Sequence, residues 1–173
     1  RVAVSHNGNL VNARRLRTQL ERQGSIFQTN SDTEIVPHFI ARSGPPIEQA
    51  IQDALRMIEG AYALLFMTET QLVAAQDPRA FHPLSLGKLD DGWVVASETC
   101  ALDVCGAEFV REIEPGEMLM ISIISSFFSH KILGFSFVDM VPLTFTRTIS
   151  VLLVFSGAAF SFNSFAKSFK MTP

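Results

Sequence analysis

The chain has 173 residues, a length that fits one domain and is enough to bury a sizeable core. Fourteen Lys and Arg against seventeen Asp and Glu give a formal net charge of -3, so the positive charge that nucleic-acid phosphates require is absent. This balance excludes a typical DNA or RNA binder. The two cysteines, Cys100 and Cys105, are too few for a disulfide framework and lack zinc-site spacing, which favours a reducing, cytoplasmic compartment.

The composition changes near residue 120. Residues 1–120 hold 26 charged residues and five Phe, whereas residues 121–173 hold five charged residues, ten Phe and ten Ser. In the first part, apolar positions keep helix or strand periods between turn residues, but the second part shows neither period. The sequence therefore predicts a folded domain over residues 1–120 and an unrelated Phe/Ser-rich tail of unclear fold over residues 121–173.

The first elements are predicted from start and stop signals. An apolar run at residues 2–4 favours a short strand that ends in a polar loop. Asn12 can cap a first amphipathic helix. Ser-Asp-Thr-Glu at residues 31–34 has capping-box spacing and starts a second helix, which Pro37 should kink. A Pro-Pro pair opens a third helix, whose apolar stripe ends at Gly60.

Downstream of residue 60 the pattern becomes that of strands. Paired apolar runs flank short turn segments, which predicts three antiparallel hairpins. The predicted pairs are 61–67 with 72–75, 84–89 with 93–96, and 109–113 with 118–121. Because these runs are apolar on both faces, the sheet should be covered on both sides. The fold class predicted is α+β, with the sheet sandwiched between other layers.

Two groups of residues could support chemistry. The Asn7 carboxamide and the Gly8 backbone N–H could converge on one point, as an oxyanion hole requires. The alternative is a type I′ turn, which also favours Asn-Gly. Asp32 at a helix start would stay ionised and could receive an ammonium group. Its alternative role is simple stabilisation of the helix N-terminus.

Several motifs occur together in one order and spacing. They are His-Asn-Gly-Asn-Leu-Val-Asn at 6–12, Gly-Ser-Ile-Phe-Gln-Thr at 24–29, Ser-Asp-Thr-Glu at 31–34, Gly-Ala-Tyr at 60–62, Asp-Pro at 77–78, Ser-Glu-Thr-Cys at 97–100 and Glu-Pro-Gly-Glu at 114–117. As a set, they resemble the class II glutamine amidotransferases. The last two motifs favour the purine-synthesis branch over a sugar-phosphate-aminating branch such as the glucosamine-6-phosphate-forming enzymes.

The resemblance implies a fold and an activity. It implies an N-terminal nucleophile hydrolase fold, an αββα sandwich of two antiparallel sheets between helical layers. In the family, an N-terminal cysteine attacks glutamine, and a further domain uses the ammonia to displace pyrophosphate from phosphoribosylpyrophosphate, the first step of purine synthesis. By resemblance, Asn7 and Gly8 match the oxyanion-hole pair, and Asp32 matches the carboxylate that holds the glutamine α-amino group. The partners implied are glutamine and phosphoribosylpyrophosphate, with homo-oligomeric assembly.

The chain also departs from the family pattern. Cys100 and Cys105 are not N-terminal and are predicted to be packing residues, so we expect this chain alone to be inactive. No cofactor is expected in the segment that carries the resemblance, although the resemblance implies Mg for the full-length family and a 4Fe-4S cluster in some members. A noncatalytic remnant of the same fold is one alternative.

The origin of the tail is open to two interpretations. A change of reading frame near residue 121, or a translated non-coding segment, would explain why the family pattern stops inside a domain. Residues 148–166, a run of 19 uncharged residues, could instead anchor the chain in a membrane. Because that run contains several Ser and Thr, we expect membrane attachment less than a change of frame.

Overall fold

The computed structural model describes residues 1–90 and 92–122 together with the backbone of four strands beyond them. The helices are α1 (Ala13–Arg22), α2 (Ile35–Ser43), α3 (Ile47–Met57) and α4 (Thr99–Cys105), and a 3-10 turn (Asp32–Glu34) precedes α2. The strands are β1 (Ala3–Leu10), β2 (Gly60–Met67), β3 (Gln71–Gln76), β4 (Ser85–Leu89), β5 (Gly92–Ala96), β6 (Glu108–Glu112), β7 (Glu117–Ser122), β8 (Lys131–Ser136), β9 (Met140–Thr144), β10 (Ser150–Phe155) and β11 (Ala158–Ser161).

The strands form two sheets. The first sheet has the order β1-β2-β3-β7-β8-β9, and the second has the order β11-β10-β5-β4-β6. Neighbouring strands pair antiparallel, with one exception. Strand β10 pairs parallel with β5 and antiparallel with β11. The predicted hairpins β2–β3 and β4–β5 are confirmed. The first strand, β1, lies at the edge of the first sheet, with β2 as its neighbour.

The layers follow from the alternation of side chains along the strands. In β2, Leu64 and Phe66 pack with Leu16 and Ile51 of the helices α1–α3 on the outer face of the first sheet. The intervening residues face the second sheet, where Leu65 packs in a cluster of both sheets. On the far side, Leu102 of α4 covers the second sheet. These four layers confirm the α+β sandwich of two sheets between helices.

The third predicted hairpin is wrong. Strand β6 pairs with β4 in the second sheet, whereas β7 pairs with β3 in the first. The two segments differ in burial, since β6 is mostly exposed and β7 is almost wholly buried. An exposed segment fits a sheet edge and a buried one fits a sheet interior, so neighbours in sequence end up in different sheets.

The polar loop predicted after residue 4 is also wrong. Strand β1 continues through it, with His6 opposite Leu64 and Asn9 opposite Ala61. A strand here leaves the polar Ser5 and Asn9 exposed, so it does not bury those side chains. The alternative of a type I′ turn at Asn7-Gly8 is therefore wrong as well.

Two helix starts differ in detail from prediction. Asn12 precedes α1 but makes no capping bond. Its amide instead donates to the Met57 carbonyl at 2.9 Å and accepts from the Glu59 N–H at 3.0 Å. Because α2 begins at Ile35, Pro37 lies in its first turn, where backbone N–H groups have no partner within the helix. Pro37 thus gives no reason for the predicted kink.

Four segments of the tail are strands, although their sequence shows no strand period. Strand β8 pairs with β7 and β9 with β8, while β10 pairs with β5 and β11 with β10. Sheet edges offer unpaired backbone groups to a strand of any side-chain pattern. Among the described residues, no helix is long and apolar enough to cross a membrane. The rest of the predicted anchor at residues 148–166 lies outside the described residues, and the domain boundary at residue 120 stays a prediction.

Candidate functional site

The predicted site residues meet at the free edge of β1. The 3-10 turn lies against this edge, and Asp32 Oδ2 accepts a hydrogen bond of 2.8 Å from the Leu10 N–H. This bond spans 22 positions of the sequence. It places the Asp32 carboxylate two residues along the strand from Gly8.

Gly8 occupies a position that only glycine fits. Its φ is +144°, and a Cβ atom there would overlap the Ala61 carbonyl oxygen of β2. The Val11 N–H donates to the Glu59 carbonyl, while the Leu10 N–H donates to Asp32 on the opposite side. Because N–H directions alternate along a strand, the Gly8 N–H points to the same free edge as that of Leu10. It is therefore placed to donate to a ligand beside Asp32.

Asn7 lies on the other face of β1. It stands opposite Ala63, which packs between the two sheets, and directly opposed residues share a face. Within the described residues, the Asn7 carboxamide makes no hydrogen bond, so its N–H groups are not consumed by the fold. The structure thus brings Asn7, Gly8 and Asp32 to one strand edge, and their roles stay predictions.

Sequence reasoning gave no role to His6 or Thr33. The His6 side chain is only 3% exposed, and its Nδ1 lies 2.9 Å from Thr33 Oγ1 and 3.8 Å from Asp32 Oδ1. Burial lowers the pKa of His6, although the nearby Asp32 carboxylate opposes this shift. A neutral imidazole brings no positive charge to the Asp32 carboxylate. The available signal was the two-residue period that His6 shares with Val4, Gly8 and Leu10.

Glu34 fixes the loop that precedes the 3-10 turn. Its carboxylate accepts from the Gln28 N–H at 2.7 Å, the Thr29 N–H at 2.8 Å and the Thr29 hydroxyl at 2.6 Å. The Gln28 bond is the main reason that the pKa of Glu34 falls to about 2. The capping box is therefore only partly as predicted, because Ser31 Oγ accepts from the Thr33 N–H and Glu34 reaches past Ser31 to residues 28 and 29.

A second carboxylate supports the partner strand β2. Asp77 is fully buried and accepts from the N–H groups of Tyr62 at 3.2 Å and Arg79 at 2.8 Å. Its backbone oxygen accepts from the Gly116 N–H at 3.1 Å. Tyr62 stands opposite Gly8, so Asp77 links the strand behind the site to the crossover between the sheets.

The two cysteines lie away from this edge. Both belong to α4, which packs on the second sheet, whereas the site lies on the first. The prediction that Cys100 is a packing residue is wrong, because it is exposed, and Cys105 is only partly buried. Hydrogen bonding to the Glu98 carboxylate raises the pKa of the Cys100 thiol, which disfavours the nucleophilic thiolate.

The described residues offer no cluster of metal ligands. In the part of the chain that the structure describes, no three His, Cys, Asp or Glu side chains lie together in a way that could hold a metal ion. None of these residues is therefore assigned to the Mg or 4Fe-4S groups that the family resemblance implies.

Comparison with known proteins gives consistent matches. A family model described as a glutamine amidotransferase domain matches residues 1–104. Amidophosphoribosyltransferase from Bacillus subtilis (strain 168) is 57% identical over 122 residues, which is 70% of this chain and 26% of the relative. The enzyme of the same name from Staphylococcus aureus (strain MRSA252) is 49% identical over 123 residues, covering 70% of this chain and 25% of that protein.

Solved structures agree with the sequence matches. Glutamine phosphoribosylpyrophosphate amidotransferase from B. subtilis, solved with ADP and GMP, has a TM-score of 0.69 at 48% identity over 88% of this chain and 30% of that one. A structure described as the allosteric regulatory enzyme of purine biosynthesis has the same TM-score, with 87% of this chain covered. The chain spans about a quarter of the length of the curated relatives it matches.

Proposed function

The chain belongs to the glutamine amidotransferase domain family, and on that premise we propose that residues 1–120 form part of the glutaminase domain of an amidophosphoribosyltransferase. That enzyme hydrolyses glutamine and transfers the ammonia to phosphoribosylpyrophosphate, giving 5-phosphoribosylamine in the first step of purine synthesis. The observation that carries the proposal is the Leu10–Asp32 hydrogen bond, which sets a carboxylate beside the Gly8 N–H. The 57% identity to the B. subtilis enzyme supports the choice of this branch over the glucosamine-6-phosphate-forming enzymes.

The site would bind glutamine at two points. The α-ammonium group pairs with the Asp32 carboxylate, a charge-assisted contact worth about 1.5–3 kcal/mol. The side-chain amide oxygen lies toward the Asn7 carboxamide and the Gly8 N–H. These donors stabilise the negative charge that develops on that oxygen when a nucleophile adds to the amide carbon. Loss of one such donor lowers the rate by about 10²–10³-fold.

The nucleophile would come from outside these residues. A thiolate adds to the amide carbon, the carbon–nitrogen bond breaks, and the nitrogen takes a proton and leaves as ammonia. Water then hydrolyses the thioester and releases glutamate. Since Cys100 and Cys105 lie on the second sheet, we assign this thiolate to a further segment of the working enzyme.

The acceptor half of the reaction is also assigned elsewhere. Phosphoribosylpyrophosphate would bind to a transferase domain, and Mg would serve that domain. We propose a homo-oligomeric cytoplasmic enzyme, as the family resemblance implies. The frame change proposed for residues 121–173 stays separate from this assignment.

A graft tests the proposal. The matched 122-residue segment of the B. subtilis enzyme is replaced by its counterpart from this chain, and phosphoribosylamine formation is measured with glutamine and with ammonia. The graft should use both nitrogen sources. Asn7→Ala should lower only the glutamine reaction, by about 10²-fold or more in kcat.

The matched control for this test is Asn9→Ala. It removes the same carboxamide two positions further along the same face of β1, where the residue is exposed, and it should change neither reaction. If Asn7→Ala and Asn9→Ala behave alike with glutamine, the assignment of Asn7 is wrong.

A further inference from the structure

His6 is a buried imidazole, and its side chain is 3% exposed. Within the described residues, its Nε2 makes no well-aligned hydrogen bond, although the nearby Ala61 backbone acts to raise the pKa of the ring. Nε2 lies close under Gly8, since a Cβ atom on Gly8 would be 3.0 Å from it. A buried nitrogen that is poorly paired costs stability, which an apolar side chain of similar size would avoid. The imidazole therefore needs a reason other than packing.

The other ring nitrogen joins β1 to the Asp32 carboxylate. His6 Nδ1 and Thr33 Oγ1 lie 2.9 Å apart in a hydrogen bond, and the Thr33 hydroxyl donates to Asp32 Oδ1 at 3.4 Å. Asp32 Oδ2 accepts directly from the Leu10 N–H. Each carboxylate oxygen is thus tied to β1, one directly and one through Thr33 and His6.

The two ties lie on either side of Gly8. His6 and Leu10 are each two positions from Gly8, so all three residues share one face of the strand. With only the Leu10 hydrogen bond, the Asp32 carboxylate could rotate about its Cβ–Cγ bond. The Thr33–His6 link removes that freedom and sets the separation between the Gly8 N–H and both carboxylate oxygens.

We propose that His6, acting through Thr33, is a positioning residue that holds the Asp32 carboxylate in register with the Asn7–Gly8 donors. The inference rests on the proposed function, because the distance it fixes is the one between the two ends of a bound glutamine. His6 itself touches neither end of the substrate.

Two pairs of substitutions in the grafted enzyme test this. Asn in place of His6 keeps a polar atom near the position of Nδ1, whereas Gln places its polar atoms near Nε2. Similarly, Thr33→Ser keeps the hydroxyl, and Thr33→Val removes it at constant shape. We expect His6→Gln and Thr33→Val each to raise the KM for glutamine about tenfold, with the ammonia-dependent rate unchanged. His6→Asn and Thr33→Ser should stay close to the parent enzyme.

The double variant separates positioning from general damage. If the two side chains act as one link, His6→Gln combined with Thr33→Val should raise KM no further than either change alone. Additive effects, or equal loss of the glutamine and ammonia reactions in all variants, would overturn the proposal. A glutamine KM unchanged in both His6→Gln and Thr33→Val would also overturn it.

Asp32→Asn in the same graft distinguishes a failure of the proposed function from a failure of the positioning role of His6. If it leaves glutamine kinetics unchanged, the proposed function fails and takes this inference with it. If it acts while the His6 and Thr33 variants do not, only the positioning role fails.

A measurement without turnover completes the test. Hydrogen exchange of the Leu10 amide in the full 173-residue chain reports the Asp32 bond. This exchange should become at least several-fold faster in His6→Gln than in His6→Asn. Equal exchange in the two variants would overturn the link.

Discussion

Arg111 of β6 and Glu117 of β7 form an ion pair with two hydrogen bonds that joins the two sheets at their crossover. The guanidinium donates to the two carboxylate oxygens at 2.7 and 2.6 Å. The Glu117 side chain is 8% exposed and also accepts from the Glu114 N–H, so its charge is almost fully buried. This pair ties together the two strands that flank the turn between the sheets.

Removing the arginine should therefore be costly. Arg111→Met leaves Glu117 buried without its cation, and we expect a loss of about 2–4 kcal/mol in the free energy of unfolding. Urea denaturation of the chain measures it. Arg56→Met is the control, because the Arg56–Asp53 pair is exposed and should contribute less than about 0.5 kcal/mol. Similar losses in the two variants would show that the pair between the sheets is not a structural anchor.

A methyl group at Gly8 should separate β1 from β2. In Gly8→Ala the new Cβ meets the Ala61 carbonyl oxygen, and the residue must also hold a φ of +144°. We expect a destabilisation above about 3 kcal/mol, from the clash together with the backbone strain. Gly24→Ala is the matched control, since its φ is +90° but no atom lies within 4 Å of the new Cβ.

The control should lose only about 1 kcal/mol, the backbone part of the effect. Thermal unfolding of both variants measures the difference. If Gly8→Ala were as stable as Gly24→Ala, the close approach of β1 and β2 at this position would be wrong.

Local patterns account for the parts of the fold that sequence predicts well. Helix α3 was predicted because its stripe, including Ile51 and Leu55, and its Pro-Pro start lie within one short window. The hairpins β2–β3 and β4–β5 were predicted because each turn is adjacent to both of its strands. In such cases the evidence for an element lies in the element itself.

Contacts between distant residues account for what was missed. The His6–Thr33 bond joins residues 27 apart, and the Asn12 bonds reach residues 57 and 59. No stretch as short as one helix or strand contains both partners of these bonds. The motif set predicts Asn7, Gly8 and Asp32 as site residues, whereas the hydrogen bonds that link them are visible only in the folded structure. The separation of β6 from β7 is of the same kind, because the partner of each strand lies elsewhere in the chain.

The Glu34 carboxylate should keep its loop tied at unusually low pH. Its pKa is lowered from 4.5 to about 2, so its bonds contribute stability that is full above 4.5 and lost as the pH falls through about 2. The Gln28 and Thr29 amide resonances should titrate with a midpoint near 2. In Glu34→Gln that titration should vanish. A midpoint near 4.5 in the parent chain would contradict the bonding pattern.

Asp32 and Asn7 should affect different kinetic constants in the grafted enzyme. Asp32→Asn keeps an oxygen for the Leu10 N–H but removes the charge, so it should raise the KM for glutamine by about 10–100-fold, equivalent to about 1.5–3 kcal/mol. Asn7→Ala should instead lower kcat. Steady-state kinetics with glutamine measure both. An unchanged KM in Asp32→Asn would contradict the role of Asp32 in binding the ammonium group.

The 173-residue chain by itself should show no glutaminase turnover. In the proposed site, the donors at Asn7 and Gly8 would serve a nucleophile held beside the edge of the first sheet, but Cys100 and Cys105 belong to α4 on the second sheet. Glu98 also raises the pKa of Cys100, so its thiol stays protonated and weakly nucleophilic at neutral pH. Ammonia release from glutamine should equal the buffer rate in the parent chain and in Cys100→Ala/Cys105→Ala. Release that persists in this double variant and disappears in Asn7→Ala would mean that another group in the chain attacks glutamine.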